Sequence, residues 1–153
     1  MPILPPPVRV RSLDPAITIF SRPFTRSNFA EIGARMSVVV MRDGGLFVFA
    51  PTQLDAATRG KIGELGAGRV RYVVCPDVGH HLFAGEYQKE WPEAKLVGVD
   101  GLQRKREDLD FAAVFTGRGE TVEAVGYEEE ASEKALTACA GIAIRPDYVA
   151  LVT

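Results

Sequence analysis

The sequence has 153 residues, of which 46% are hydrophobic and 25% are charged, and its formal net charge at pH 7 is -2. A chain of this size can bury a core of its own, so we expect a single domain over residues 1–153. The nearly balanced charge gives no electrostatic basis for binding nucleic acid or an anionic membrane. The cysteines show no disulfide pattern, and we find neither a signal peptide nor an apolar run of membrane-spanning length. These features predict a cytoplasmic protein with no membrane partner.

The first third of the chain is typical of short β-strands. Residues 8–11 alternate apolar and polar side chains and predict an edge strand, and residues 17–20 predict a second strand followed by a loop at 21–28. The apolar runs 36–41 and 46–50 flank an Asp-Gly-Gly turn. This arrangement predicts a β-hairpin.

Helices and strands then alternate. Thr52 is a suitable N-cap for a helix that ends at the glycines after residue 65, and the apolar run 70–75 is typical of a strand covered on both faces. An aromatic stripe at helical spacing predicts a helix over 82–91, and residues 95–99 predict another strand. The β-α-β-α-β order predicts an α/β sheet flanked by helices.

The last part of the chain is more polar. Residues 103–110 are charged, and because acidic residues neutralise the run Arg104, Lys105 and Arg106, we expect a solvated helix or loop there. Residues 128–140 predict a final helix, followed by short strands at 142–144 and 148–152.

Both histidines of the chain, His80 and His81, follow the predicted buried strand. Imidazole is the commonest metal ligand in proteins and a good acid or base near neutral pH. Asp77 precedes them at i, i+3 and i+4 spacing, so a helical turn would bring these groups together to hold one zinc or iron ion, with Cys75 or Glu86 as a further ligand. The same three side chains could also act as acid or base without a metal ion. Alternatively, Asp77 caps the helix while one histidine packs and the other is solvated.

Three neighbours of the histidines are candidate substrate-pocket residues, namely Cys75, Phe83 and Tyr87. Cys75 is either a thiolate activated by a histidine or a small apolar core residue. The aromatic side chains, together with Trp91, either line a pocket or belong to the core. The absence of a GxSxG motif argues against serine hydrolase chemistry.

Several segments, in this order, resemble an uncharacterised family related to the metallo-β-lactamases. They are Asp43 to Pro51, Leu65-Gly66, Val70 to Pro76, His80 to Phe83 and Trp91 to Lys95, within residues 36–110. The resemblance implies a shortened αββα sandwich, in which two mixed β-sheets pack face to face with flanking helices, and a site at the strand ends.

The resemblance also places the histidine pair in the loop that carries the HxHxDH metal motif of these enzymes. His81 matches the last histidine, but His80 stands at the aspartate position and Pro76 and Val78 stand at the earlier histidine positions. Residues 144–146 lack the later histidine of the family. The usual two-metal site is therefore absent. The chain resembles a half-length domain, incomplete at its C-terminus, which predicts a homodimer that completes the second sheet.

Taken together, these features predict a divergent enzyme of hydrolase or lyase type. It would act on a small molecule through His80, His81 and Asp77, with one zinc or iron ion or with none. The alternative is a non-catalytic module, for small-molecule binding or dimerisation, that kept the fold and lost the metal ligands. Esters, lactones and thioesters are all compatible with the sequence.

Overall fold

The structure, a computed structural model, describes residues 7–26, 30–116, 144–145 and 148–149. Its strands are β1 (Arg9–Asp14), β2 (Ile17–Arg26), β3 (Ala30–Val40), β4 (Leu46–Phe49), β5 (Val70–Val74), β6 (Lys95–Val99), β7 (Phe111–Phe115), β8 (Ile144–Arg145) and β9 (Tyr148–Val149). Its helices are α1 (Ala56–Gly63), α2 (Ala84–Glu90) and α3 (Leu102–Lys105). The predicted helix over 128–140 lies outside the described residues.

Strands β1 to β7 form one mixed sheet in which each strand lies beside its neighbour in sequence. The first four strands pair antiparallel, and β4 to β7 pair parallel. The helices α1, α2 and α3 connect the parallel strands, as parallel pairing requires. The β-α-β-α-β order and the hairpin between β3 and β4 are therefore confirmed. Strands β8 and β9 form a separate two-stranded sheet.

The prediction of a loop directly after residue 20 is wrong, because β2 continues to Arg26. Its register with β3 extends from Ile17 opposite Val39 to Arg26 opposite Ala30. Strand β1 pairs with β2 only as far as Ser21. Beyond that residue one edge of β2 has no strand partner among the described residues, and proline is tolerated at such an edge, which explains Pro23 within the strand.

Side chains of the central strands alternate between two buried clusters, one on each face of the sheet. The first cluster includes Val38, Val48 and Val73 and packs against side chains of α1 and α2; the second includes Val39 and Phe47. Burial on both faces accounts for the nearly continuous apolar sequence of β4 and β5.

The helices are shorter than predicted. Asp55, not Thr52, is the N-cap of α1: its side chain accepts a hydrogen bond from the backbone amide of Thr58 at 2.8 Å, whereas Thr52 is buried ahead of the helix. Helix α2 begins only at Ala84, since the preceding residues form turns. None of the helices in the described ranges is long and apolar enough to cross a membrane.

Candidate functional site

A pocket of about 210 Å³ lies beside the carboxyl ends of β4 and β5, where open α/β sheets commonly bind ligands. Strands β2 and β3, the segment after β4, the turn after β5 and the end of α3 all contribute to its walls. The apolar lining includes Phe24, Ile32, Leu82 and Phe83, and the ionisable lining includes Arg35, His80, His81 and Lys105. Both predicted site histidines therefore face one pocket.

Asp77 and His80 form a hydrogen-bonded pair at this pocket. The Nδ1 atom of His80 lies 2.7 Å from Oδ2 of Asp77. The hydrogen bond from His80 is the largest influence that lowers the pKa of Asp77 to about 2; burial opposes it, and the backbone amide of Gly79 adds to it. The carboxylate is therefore ionised near neutral pH and can only accept hydrogen bonds. Nδ1 of His80 must then be the donor, and Nε2 is left for a ligand.

The local sequence builds this turn. Oδ1 of Asp77 accepts hydrogen bonds from the backbone amides of Gly79 at 2.6 Å and His80 at 3.0 Å. Asp77 thus accepts hydrogen bonds from backbone amides, as the alternative prediction of a capping role had it. These amides, however, belong to a turn ahead of α2 and not to the helix itself. The N-cap of α2 is Phe83, which makes no side-chain capping bond. The aspartate therefore shapes the turn and orients an imidazole with the same carboxylate.

His81 is buried and faces a cation rather than a carboxylate. Nη1 of Arg106 lies 3.1 Å from Nδ1 of His81 and donates to the backbone carbonyl of His81 at 2.7 Å. Burial lowers the pKa of His81 below its usual value, and the positive charges of Lys105 and Arg106 lower it further. Both effects favour the neutral form of the His81 imidazole.

Arg106 is the site residue that the sequence analysis missed. The prediction of a solvated basic run is wrong for this residue, because its side chain is only 19% exposed and contacts His81. Asp108 holds the guanidinium through two bonds of 2.7 Å, to Nε and to Nη2. The Arg-x-Asp spacing is visible in the sequence, but the contact with a histidine 25 residues earlier depends on the packing of α3 beside β6.

Of the three predicted pocket residues, the pocket lining includes Phe83. Cys75 has no exposed surface, and burial raises its pKa to about 12, so the thiol stays protonated. Tyr87 is also fully buried, and its hydroxyl donates to the sulfur of Met36 at 3.0 Å. Cys75 and Tyr87 are thus core residues, as the alternative interpretation of each had it.

The residues of the turn do not assemble a metal site. No group of three or more His, Cys, Asp or Glu side chains that could hold a metal ion occurs in the part of the chain that the structure describes. Asp77 pairs with His80, while His81 contacts a guanidinium, whose charge would repel a metal ion. The possible fourth ligands are engaged elsewhere: Cys75 is a buried thiol, and Glu86 accepts a hydrogen bond from a backbone amide of the segment before α1.

Solved metallo-β-lactamases have similar structures. The DIM-1 metallo-β-lactamase, from crystals exposed to ceftazidime, superposes with a TM-score of 0.57 at 12% identity, over 78% of this chain and 57% of that one. TMB-1 gives a TM-score of 0.57 at 10% identity, over 76% and 56%. A metallo-β-lactamase from Pontibacter korlensis gives 0.51 at 12% identity, over 71% and 52%. The chain spans about half the length of these structures. No family model and no curated protein matches the sequence.

These similarities confirm the predicted fold class. The chain has a shortened metallo-β-lactamase-like α/β fold with a mixed seven-stranded sheet and flanking helices. At identities of 10 to 12%, the comparison establishes the fold and not the chemistry. Membership of the uncharacterised family suggested by the sequence stays a prediction.

Proposed function

We propose that this protein is a small-molecule hydrolase in which His80 acts as the general base and Asp77 orients it. The observation that carries the proposal is the 2.7 Å hydrogen bond between Nδ1 of His80 and Oδ2 of Asp77 beside the pocket that His80 lines. A carboxylate that binds one imidazole nitrogen leaves the other as a proton acceptor with a defined orientation. This pairing is the usual means of activating a histidine base.

The proposed reaction is hydrolysis of an ester or thioester. Nε2 of His80 takes a proton from a water molecule, whose oxygen attacks the carbonyl carbon of the bound substrate. The ionised Asp77 stabilises the imidazolium that forms, and the same proton then passes to the departing alcohol or thiol. Positioned acid–base catalysis of this kind contributes about 10²–10⁴-fold to the rate. The His, Cys, Asp and Glu side chains of the described residues do not form a metal site, so no step is assigned to a metal ion.

The size and lining of the pocket indicate the size of the substrate. An engineered protein cavity of about 150 Å³ accommodates benzene. A pocket of about 210 Å³ therefore admits a group slightly larger than a benzene ring. Phe24, Ile32, Leu82 and Phe83 provide apolar walls for it. A short acyl or aryl group attached to the reacting carbonyl fits these dimensions.

The test uses p-nitrophenyl acetate and p-nitrophenyl butyrate as probes with metal-free, untagged protein. We expect His80→Gln to lower kcat/KM at least about 100-fold, because the base is lost, and Asp77→Asn to cause a smaller loss. Lys89→Gln, an exposed change on α2, serves as the control and should leave the rate unchanged. Equal rates for wild type and His80→Gln would show that the proposed base takes no part in the reaction.

A non-catalytic binding module is the second candidate. It is favoured by Pro76 and Val78, which stand where metal-binding histidines would be expected, and by the apolar pocket walls. This function predicts that phenylacetate binds wild type and His80→Gln with equal affinity, as measured by saturation-transfer NMR, and that neither protein hydrolyses the ester probes. The two measurements together separate binding from catalysis.

A further inference from the structure

The two adjacent histidines contact partners of opposite hydrogen-bonding character through the same ring nitrogen. Nδ1 of His80 lies 2.7 Å from the carboxylate of Asp77, and Nδ1 of His81 lies 3.1 Å from the guanidinium of Arg106. An ionised carboxylate only accepts hydrogen bonds, and a guanidinium only donates them. The two rings must therefore present opposite nitrogens as donor and acceptor.

The hydrogen bond between Arg106 and the ring of His81 can have only one direction. Arginine stays protonated in proteins, so Nδ1 of His81 must supply the lone pair, and in a neutral ring the proton then resides on Nε2. The guanidinium cannot easily turn away, because it also donates to the carbonyl of His81 at 2.7 Å and is held through two nitrogens by Asp108. Three anchored bonds therefore define the position of the donor.

We propose that Arg106 is a positioning residue that holds His81 as its Nε2–H tautomer, so that the pocket contains a base at His80 and a neutral hydrogen-bond donor at His81. The tautomer of His81 rests on its contacts with Arg106 alone. The catalytic role of this tautomer rests on the proposed function: Nε2–H of His81 donates a hydrogen bond to the oxygen of the substrate carbonyl while His80 activates water. Donors placed where negative charge develops stabilise a transition state most effectively in a water-poor site.

The surroundings of His81 favour the neutral ring. Burial and the positive charges of Lys105 and Arg106 disfavour the imidazolium form of His81. The carboxylates of Asp108 and Asp77 favour the imidazolium, but their effects are weaker. A doubly protonated ring would also direct an N–H of its own at the guanidinium. Contact geometry and charge therefore point to the same protonation state.

This arrangement also specifies the ligand group. Because Nδ1 of His81 is occupied, Nε2 is the ring nitrogen left for a ligand in the pocket that His81 lines. An N–H donor next to Lys105 suits a hydrogen-bond acceptor, such as a carbonyl or carboxylate oxygen. A metal ion would need a lone pair on Nε2, the atom that carries the proton in this tautomer.

The experiment is ¹⁵N NMR of the imidazole rings in untagged protein labelled at histidine, without substrate. The chain contains 2 histidines, so His80→Gln assigns both rings. In wild type we expect His81 to carry its proton on Nε2 and His80 to carry its proton on Nδ1. In Arg106→Met, His81 should become a mixture of tautomers and its titration midpoint should rise. Arg106→Lys keeps a donor and should preserve the tautomer in part.

Arg104→Met is the matched control, because Arg104 lies on α3 with an exposed side chain. This substitution should leave the tautomers of both rings unchanged. A wild-type His81 protonated on Nδ1 would overturn the proposal, as would an Nε2–H tautomer that persists unaltered in a folded Arg106→Met protein. If Arg106→Met does not fold, the wild-type spectrum still tests the tautomer of His81, and Arg106→Lys tests the role of Arg106. Because no turnover is measured, failure of ester hydrolysis and failure of the tautomer assignment are separate results.

Discussion

At the residue scale, Asp77 combines a structural and a chemical task. Its Oδ1 atom binds the amides of Gly79 and His80, which closes the turn, and its Oδ2 atom binds the ring of His80. A single carboxylate therefore ties the orientation of the base to the conformation of the backbone that carries it. Loss of its charge should affect both.

We expect Asp77 to make the stability of the protein depend on pH in the acidic range. Its pKa is lowered from 3.8 to about 2, so its stabilising contribution is complete above the ordinary pKa and is lost as the pH falls through the lowered value. Wild type should therefore be more stable than Asp77→Asn above pH 3.8, and the difference should shrink as the pH approaches 2. Urea denaturation at a series of pH values measures this.

Asp100→Asn, on the exposed turn after β6, is the control for that series. It should follow the wild-type pH dependence closely. A difference between wild type and Asp77→Asn that stays constant across the acidic range would contradict the proposed role of the charged carboxylate.

Cys75 should be unreactive in the folded protein. Its side chain is fully buried, and burial raises its pKa to about 12, so the thiolate is scarce even in mildly alkaline buffer. Cys139 is the second of the 2 cysteines in the chain. In a Cys139→Ser background, where Cys75 is the remaining thiol, we expect Ellman's reagent to react only as the protein unfolds. Rapid stoichiometric reaction under native conditions would restore Cys75 as a candidate nucleophile.

At the scale of elements, a buried arginine connects β2 to α1. Arg22 on β2 has a side chain that is 7% exposed, and it donates to Asp55 at 2.8 Å and to the hydroxyl of Thr58 at 2.9 Å. Asp55 is also the N-cap of α1. The carboxylate therefore satisfies a helix end and a buried cation at the same time.

We expect Asp55→Ala to destabilise the fold by roughly 2–3 kcal/mol, because the helix loses its cap and Arg22 is left buried without its carboxylate. Glu64→Gln changes an exposed ion pair with Lys61 at the other end of the same helix and should cost less than about 0.5 kcal/mol. Thermal or urea unfolding measures both. Similar small losses in the two variants would mean that the contact with Arg22 adds no stability.

The elements differ in how far the sequence predicts them. Strands β4, β5 and β6 and the helices between them follow from local apolar patterns, because burial on one or both faces leaves a periodic signal. The extension of β2 to Arg26 could not be predicted in this way, since it depends on pairing with β3 rather than on its own residues. The choice of Asp55 over Thr52 as helix cap likewise depends on burial of Thr52 and on the distant Arg22.

At the scale of the whole molecule, β1 lies at one edge of the seven-stranded sheet and is exposed along its length. It presents Val10, 38% exposed, and Leu13, 54% exposed. An exposed edge strand with apolar side chains offers a surface for pairing with another chain. On these grounds we propose a homodimer in which β1 of one protomer pairs with its partner's.

This assembly predicts that the unfolding midpoint rises with protein concentration. Leu13→Lys should weaken the dimer at least about 10-fold, because a lysine disfavours edge-to-edge pairing. Sedimentation equilibrium measures the association, with Gln103→Lys on α3 as the control for added charge. A wild-type protein that sediments as a monomer at every concentration would exclude the dimer.

The sequence by itself determined the α/β class, the order of the central elements and the placement of His80 and His81 after a buried strand. These features are encoded locally, by apolar periodicity and turn residues. Only the tertiary structure decided which histidine pairs with Asp77 and which contacts Arg106, and that Cys75 and Tyr87 belong to the core. The physical reason is that side-chain partners and burial are set by the packing of segments far apart in sequence, which no local pattern records.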